Sequence, residues 1–255
     1  MIAPVPDLVG ARVSLGIYHQ LLTAYGTDFL QYFGHVFSEY SGRILRSAVS
    51  GTVLSEEEIR TGYPESRGRK APDWVVVEGS TAILIECKAT RFTRAALTTG
   101  SVEAVSDSLK QVRKGLKQLH HFREACRSGA PGLEVLHQCT EFLPVVLTLE
   151  PLYGANGRFL REHIDLALLA EGVEGLPWRV VSIQELELVE RHVRGGIPLA
   201  ETLSRALSDE VLAEYRARSG RGGNEESFLY PYFQSLASRL GLPDLEDEPS
   251  AVYES

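Results

Sequence analysis

Residues 72–88 have the sequence PDWVVVEGSTAILIECK and predict a β-hairpin. Both arms are rich in valine and isoleucine, which is typical of strands. A Gly79-Ser80 loop between them suits a type II′ turn, whose first central position favours glycine. In that register the loop is closed by Glu78 and Thr81, so we expect Asp73 to lie directly opposite Glu86.

The same register predicts a site with two carboxylates and one ammonium. Side chains alternate along a strand, so Lys88 shares the face of Glu86 while Cys87 points the other way. Two opposed carboxylates repel each other unless a cation lies between them. Hard oxygen ligands beside an ammonium indicate a site for a divalent metal ion and a phosphate group. The alternative is a core hairpin with an incidental salt bridge from Lys88.

The motif Pro72-Asp73, a spacer of twelve residues and Glu86-Cys87-Lys88 resembles the signature of the PD-(D/E)xK, or restriction-endonuclease-like, nuclease superfamily. The resemblance covers residues 27–150 through its motifs. It implies an α/β fold with a core of helix, three-strand antiparallel meander, helix and strand, here followed by a C-terminal helical extension. It also implies Mg²⁺, for which Mn²⁺ would substitute, bound by Asp73, Glu86 and the carbonyl of Cys87, with Lys88 beside the attacking water.

Two further site residues follow from this resemblance. The family places an acid on the helix before the sheet, and Glu39 is the candidate for this third ligand, although a glutamate on the flank of an amphipathic helix is usually just solvated. Related nucleases often use a glutamine or lysine from the helix after the motif. Gln111, Lys114 and Gln118 are the candidates, and we favour Gln118.

Helical periodicity and capping residues predict helices over 14–25 and 27–48 before the hairpin, and a long helix over 102–127 after it. Residues 55–71 are expected to form a polar loop. Strands are predicted over 51–54, 142–149 and 178–183, and helices over 157–170 and 199–216. We expect a nuclease-like domain over 1–195, a helical extension over 196–241 and an acidic, disordered tail over 242–255.

Charge is unevenly distributed along the chain, whose net charge is −8. Five acids lie between residues 244 and 255, whereas the region from Arg60 to Arg123 carries twelve bases against six acids. A basic region that coincides with the site suits phosphate binding, although a solvated charged face would have the same composition. The candidate nucleic-acid contacts are Arg67, Arg69, Lys70, Arg91, Arg94, Lys110, Lys114 and Lys117.

Composition restricts the class of protein. The 255 residues, 44% hydrophobic and 24% charged, are typical of a globular protein without a membrane span. Three widely spaced cysteines favour a reducing compartment, and we expect a cytoplasmic protein that does not act at a membrane. A homodimer or a protein partner in a multi-component system is compatible with the sequence.

The sequence therefore predicts a metal-dependent nuclease that hydrolyses phosphodiesters in DNA, in restriction, repair or phage defence. One alternative is a catalytically degenerate nucleic-acid-binding or assembly module of the same fold. Another is a nuclease directed at RNA, because backbone contacts carry little information about the sugar.

Overall fold

The protein has a mixed α/β architecture built on one five-stranded sheet. A computed structural model describes residues 6–64, 70–90, 102–152, 155–205 and 238–239. The helices are α1 (Pro6–Ala48), α2 (Glu56–Gly62), α3 (Val102–Arg127), α4 (Arg158–Ala170), α5 (Ile183–Arg194) and α6 (Leu199–Arg205). The strands are β1 (Thr52–Ser55), β2 (Trp74–Glu78), β3 (Thr81–Lys88), β4 (Glu141–Thr148) and β5 (Arg179–Ser182), and they lie side by side in chain order.

The hairpin has the predicted register. Strands β2 and β3 are antiparallel, with Glu78 opposite Thr81 and Trp74 opposite Ile85. Gly79 has a φ of +60°, as the first central residue of a type II′ turn requires. Strand β1 pairs antiparallel with β2, whereas β4 and β5 continue the sheet in parallel beyond β3. The antiparallel half therefore ends at β3, the strand that carries Glu86 and Lys88.

Helices cover both faces of the sheet, and each face has its own hydrophobic core. Alternate residues of β3 divide between the two cores, because successive side chains point to opposite faces. Leu84 packs with α2, α3 and α4 in one core, while Ile83 and Ile85 pack with α1, α5 and α6 in the other. Since Glu86 follows the phase of Leu84, it lies on the face covered by α3.

The interpretation of residues 55–71 as a polar loop was wrong at its start. Helix α2 begins there with a capping box, in which the Ser55 hydroxyl accepts from the Glu58 amide and the Glu58 carboxylate accepts from the Ser55 amide. Ile59 anchors the helix in the core. The Ser-x-x-Glu spacing is a known start signal, and the acidic run 56–58 obscured it.

Helix α1 combines the two predicted N-terminal helices. Gly26 between them has a non-helical φ of +53°, and Tyr18 of the first part packs edge-on against Phe29 and Phe33 of the second. None of the helices in the described ranges has the length and apolar content of a membrane span.

Helix α6 is attached to the hairpin turn. The Glu78 carboxylate accepts hydrogen bonds from the Leu199 and Ala200 amides, at 3.0 and 3.1 Å, and caps the helix. Leu199 and Leu203 are buried against the sheet. This start of the expected extension thus packs on the main body, while residues 206–237 and 240–255 lie outside the described residues. The domain division remains a prediction.

The contact between α1 and β2 can be tested through its effect on the free energy of unfolding. A Cβ atom on Gly42 would lie 2.0 Å from Cζ2 of Trp74, whose indole nitrogen donates to the Ser38 carbonyl. We expect Gly42→Ala to lower the free energy of unfolding by about 2 kcal/mol, because an overpacked core must shift.

The control is Gly34→Ala on the same helix, where an added Cβ meets nothing within 4 Å. That substitution should instead stabilise the protein by about 0.5–1 kcal/mol, because alanine loses less backbone entropy than glycine. Urea denaturation of both variants checks the pair. Equal effects of the two substitutions would contradict the packing that we describe.

Candidate active site

Asp73 and Glu86 lie at the end of the hairpin remote from its turn. Asp73 directly precedes β2, and its Oδ2 accepts a hydrogen bond from the Cys87 amide at 2.6 Å. The Asp73 carbonyl also accepts from the Glu56 amide at 2.8 Å, which connects this position to the start of α2. The backbone thus fixes Asp73 on both sides, beside the strand end that carries Glu86.

Glu86 is buried and makes two polar contacts with neighbouring side chains. One oxygen accepts from the Lys88 ammonium, and the other accepts from Nε2 of Gln118 at 2.8 Å. The Gln118 amide also donates to the Ala71 carbonyl at 3.1 Å, just before the aspartate. Gln118 therefore joins the two arms of the site, and the structure places it, among the three candidates on this helix, beside Glu86.

Gly115 allows α3 to approach the site closely. An added Cβ would lie 3.3 Å from Cγ of Glu86 and 3.5 Å from Cε of Lys88. Gly115 and Gln118 are three residues apart and so share one helix face. Sequence reasoning missed Gly115. The only signal was a glycine inside an otherwise good helix pattern, which often has a packing reason.

Burial controls the protonation of both carboxylates. It raises the pKa of Asp73, although the Cys87 amide and the Lys88 ammonium oppose the shift. Burial also raises the pKa of Glu86 to about 7, reinforced by the Asp73 charge and opposed by Lys88, with a further upward contribution from Glu56. One ammonium does not compensate two desolvated carboxylates, so a second cation would stabilise the ionised pair.

The donor set suits a hard divalent cation. Asp73 and Glu86 offer carboxylate oxygens, the ligands that Mg²⁺ prefers. The Cys87 thiol is on the other face, where burial raises its pKa well above its usual value, so only the Cys87 carbonyl could serve as a ligand. No cluster of three or more acidic, histidine or cysteine side chains capable of binding a metal occurs within the described ranges.

The expected third ligand, Glu39, is not brought into such a cluster. Its helix α1 packs on the opposite face of the sheet from Glu86, and Glu39 is exposed. Asp73, Glu86 and Glu39 therefore form no three-acid cluster in the described part of the chain, and Glu39 as a metal ligand remains a prediction. Glu56 is the additional acid whose charge acts on Glu86, and its side chain also pairs with Arg60. It escaped notice because its segment was interpreted as a loop.

The predicted basic contacts are only partly within the described residues. Lys70, Lys110 and Lys114 are exposed, whereas Lys117 forms an ion pair with Glu171 at 2.8 Å. Of the remaining candidates, Arg67 and Arg69 lie in 65–69 and Arg91 and Arg94 in 91–101, outside the described residues. A phosphate-binding role for this set remains a prediction.

Comparison with known proteins adds one structural neighbour. No family model matches the chain, and no curated protein matches it. A solved structure of the small subunit of the heterodimeric restriction endonuclease R.BspD6I is similar over 72% of this chain and 89% of its own, with 15% identity and a TM-score of 0.37.

The raised pKa of Glu86 predicts a stability profile. The pKa of Glu86 in the unfolded chain is near the ordinary glutamate value of 4.5 and in the folded protein it is about 7, so between these pH values the folded protein retains a proton that the unfolded chain has released. In that window the free energy of unfolding falls as pH rises. Glu86→Gln stays neutral at every pH. Its free energy of unfolding minus that of wild type should therefore increase by on the order of 3 kcal/mol between pH 5 and pH 8.

Chemical denaturation at several pH values, without divalent ions, measures this difference. Glu57→Gln, an exposed acid on α2, is the control and should follow the wild-type profile. A constant difference between Glu86→Gln and wild type across the range would show that Glu86 titrates normally.

Proposed function

We propose that this protein hydrolyses phosphodiester bonds in nucleic acid, DNA in preference to RNA, with a divalent metal ion at Asp73 and Glu86. The observation that carries the proposal is a pair of desolvated carboxylates, the half-buried Asp73 and the buried Glu86, with Lys88 and Gln118 donating to Glu86. A hairpin serving only as core would gain stability from apolar residues at these positions, since buried charges are costly. The fold proposed with this function is the restriction-endonuclease-like core.

Each side chain has a distinct role in this proposal. Asp73 and Glu86, with the Cys87 carbonyl, would hold Mg²⁺, or Mn²⁺ in its place. When bound, the ion would supply Lewis acidity toward the scissile phosphate and would lower the pKa of a water molecule. Gln118 orients Glu86 through its hydrogen bond. The Lys88 ammonium, which lies beside Glu86, would orient the attacking water and stabilise negative charge on the phosphate.

A cleavage assay tests the proposal. Duplex and single-stranded DNA and RNA are incubated with wild type, Asp73→Asn and Glu86→Gln, with Mg²⁺, with Mn²⁺ and with chelator. We expect wild-type cleavage only with a metal ion and none by either variant. Metal-induced stabilisation and nucleic-acid binding without cleavage would favour the alternative of a binding or assembly module.

Lys88→Met separates chemistry from metal binding. It removes a contact to the transition state and leaves both carboxylates, so cleavage should fall by about a hundredfold or more. The rise in melting temperature with Mg²⁺ should persist, because mass action on the folded state needs only the ligands. Turnover and thermal shift are measured on the same preparation. Wild-type turnover in this variant would remove Lys88 from the mechanism.

Two conservative substitutions test whether Glu56 or Glu39 is the further acid that acts on the bound metal ion. Glu56 acts on Glu86 electrostatically, whereas Glu39 is exposed on a helix that covers the other face. We expect Glu56→Gln to raise severalfold the Mg²⁺ concentration that gives half of the maximal stabilisation, because less negative charge remains near the ion. Glu39→Gln is the matched control, and its stabilisation should depend on Mg²⁺ concentration as that of wild type does. The opposite result would restore Glu39 as the third ligand.

A further inference from the structure

Two arginine side chains converge at the start of β5. Nη2 of Arg161, on α4, donates to the Trp178 carbonyl at 3.1 Å, and Nη1 of Arg179 donates to the same oxygen at 3.0 Å. Since both hydrogen bonds end on one atom, the two nitrogens are no more than about 6 Å apart. The Arg161 guanidinium also stacks over the Trp178 ring, 4.4 Å from its centroid. The Trp178 carbonyl therefore holds both guanidinium groups, and the buried Trp178 ring also holds that of Arg161.

Within the described residues, the ion pair that these two arginines form is between Arg161 and Asp165. Oδ2 of Asp165 lies 4.0 Å from Nε of Arg161, beyond good hydrogen-bonding distance. Its other oxygen accepts from the Trp178 indole at 2.6 Å. Nε of Arg179 is buried without a hydrogen-bond partner within the described part of the chain. Burial and the Arg161 charge lower the pKa of Arg179.

We propose that Arg161 and Arg179 form a binding site for a phosphate group, separate from the carboxylate pair of the candidate active site. Two guanidinium groups at this separation repel each other, and an oxyanion between them would relieve the repulsion. Planar guanidinium groups bind phosphate oxygens through paired, charge-assisted hydrogen bonds. After the bonds to the Trp178 carbonyl, each arginine retains further N–H groups for an anion. Arg161 remains partly exposed, so the site is open to solvent.

The sheet register separates this site from the candidate active site. Ile85, next to Glu86, pairs with Val145, and Val145 pairs with Arg179, so Arg179 lies two strand spacings, about 10 Å, from β3. Ile85 and Val145 pack in the core on the opposite face of the sheet from Glu86, and Arg179 follows their phase. A phosphate of a nucleic acid and a free phosphate ion are the two sources of this ligand, and they share its chemistry.

Thermal unfolding with inorganic phosphate tests the site directly. Sodium phosphate is compared with sodium chloride at equal ionic strength, in the presence of chelator, so that no divalent ion recruits phosphate to Asp73 and Glu86. We expect phosphate to raise the wild-type melting temperature above the chloride value, since a ligand of the folded state stabilises it. Arg179→Gln should lose this gain. Arg158→Gln, an exposed arginine of α4 that pairs with Glu162, is the matched control and should retain it.

A second variant distinguishes a loss of phosphate binding from a loss of folding. Asp165→Asn removes the negative charge beside Arg161 and keeps an oxygen to accept from the Trp178 indole. We expect its half-saturating phosphate concentration to fall severalfold, a gain that a destabilised protein would not show. Absence of a phosphate effect in wild type, or an equal effect in wild type and Arg179→Gln, would overturn the site.

Binding to a short DNA duplex identifies the source of the phosphate. If it belongs to nucleic acid, Arg179→Gln should weaken duplex binding without divalent ions and reduce the slope of log affinity against log salt by about 1. If the variant loses the response to inorganic phosphate but binds duplex like wild type, the site takes free phosphate. Neither result depends on cleavage, so failure of the nuclease proposal and failure of this site are distinguishable.

Discussion

The two-residue turn at Gly79-Ser80 sets the register on which the site depends. A shift of one residue would exchange the two faces of β3 and place Glu86 among the residues packed against α1. The turn instead keeps Ile83 and Ile85 in that core and directs Glu86 toward α3. Glu78, which closes the turn, also caps α6. One local geometry therefore positions the carboxylate pair and fixes a later helix against the sheet.

The carboxylate pair is held in an unfavourable state by its surroundings. Burial raises the pKa of both Asp73 and Glu86, and the Cys87 amide, Lys88 and Gln118 offset only part of the cost. Apolar side chains would make the same strand end more stable. Polar groups arranged at the expense of stability are characteristic of functional sites, and this cost is the physical basis of the nuclease proposal.

Helix α3 has a different part in the site from the one its basic residues suggested. Its lysines are exposed or, in Lys117, paired with Glu171, while Gly115 and Gln118 face Glu86. The arginines at β5 come from a region to which sequence analysis gave no function. Arg161 and Arg179 come from two consecutive elements and meet at the Trp178 carbonyl, next to the edge strand whose Val180 backbone is paired with Asn156.

Sequence alone determined the elements whose signals are local. The Gly79-Ser80 loop and the alternation of β3 gave the register and the faces of Glu86 and Lys88, and helical periodicity gave α3, because turn chemistry and side-chain phase act over a few residues. Glu39 was expected near Glu86 and Glu56 was overlooked, since the approach of a helix to a strand end depends on packing between distant segments. Only the tertiary structure decided that Gln118 reaches Glu86, that Gly115 lets α3 come close, and that two arginines share the Trp178 carbonyl.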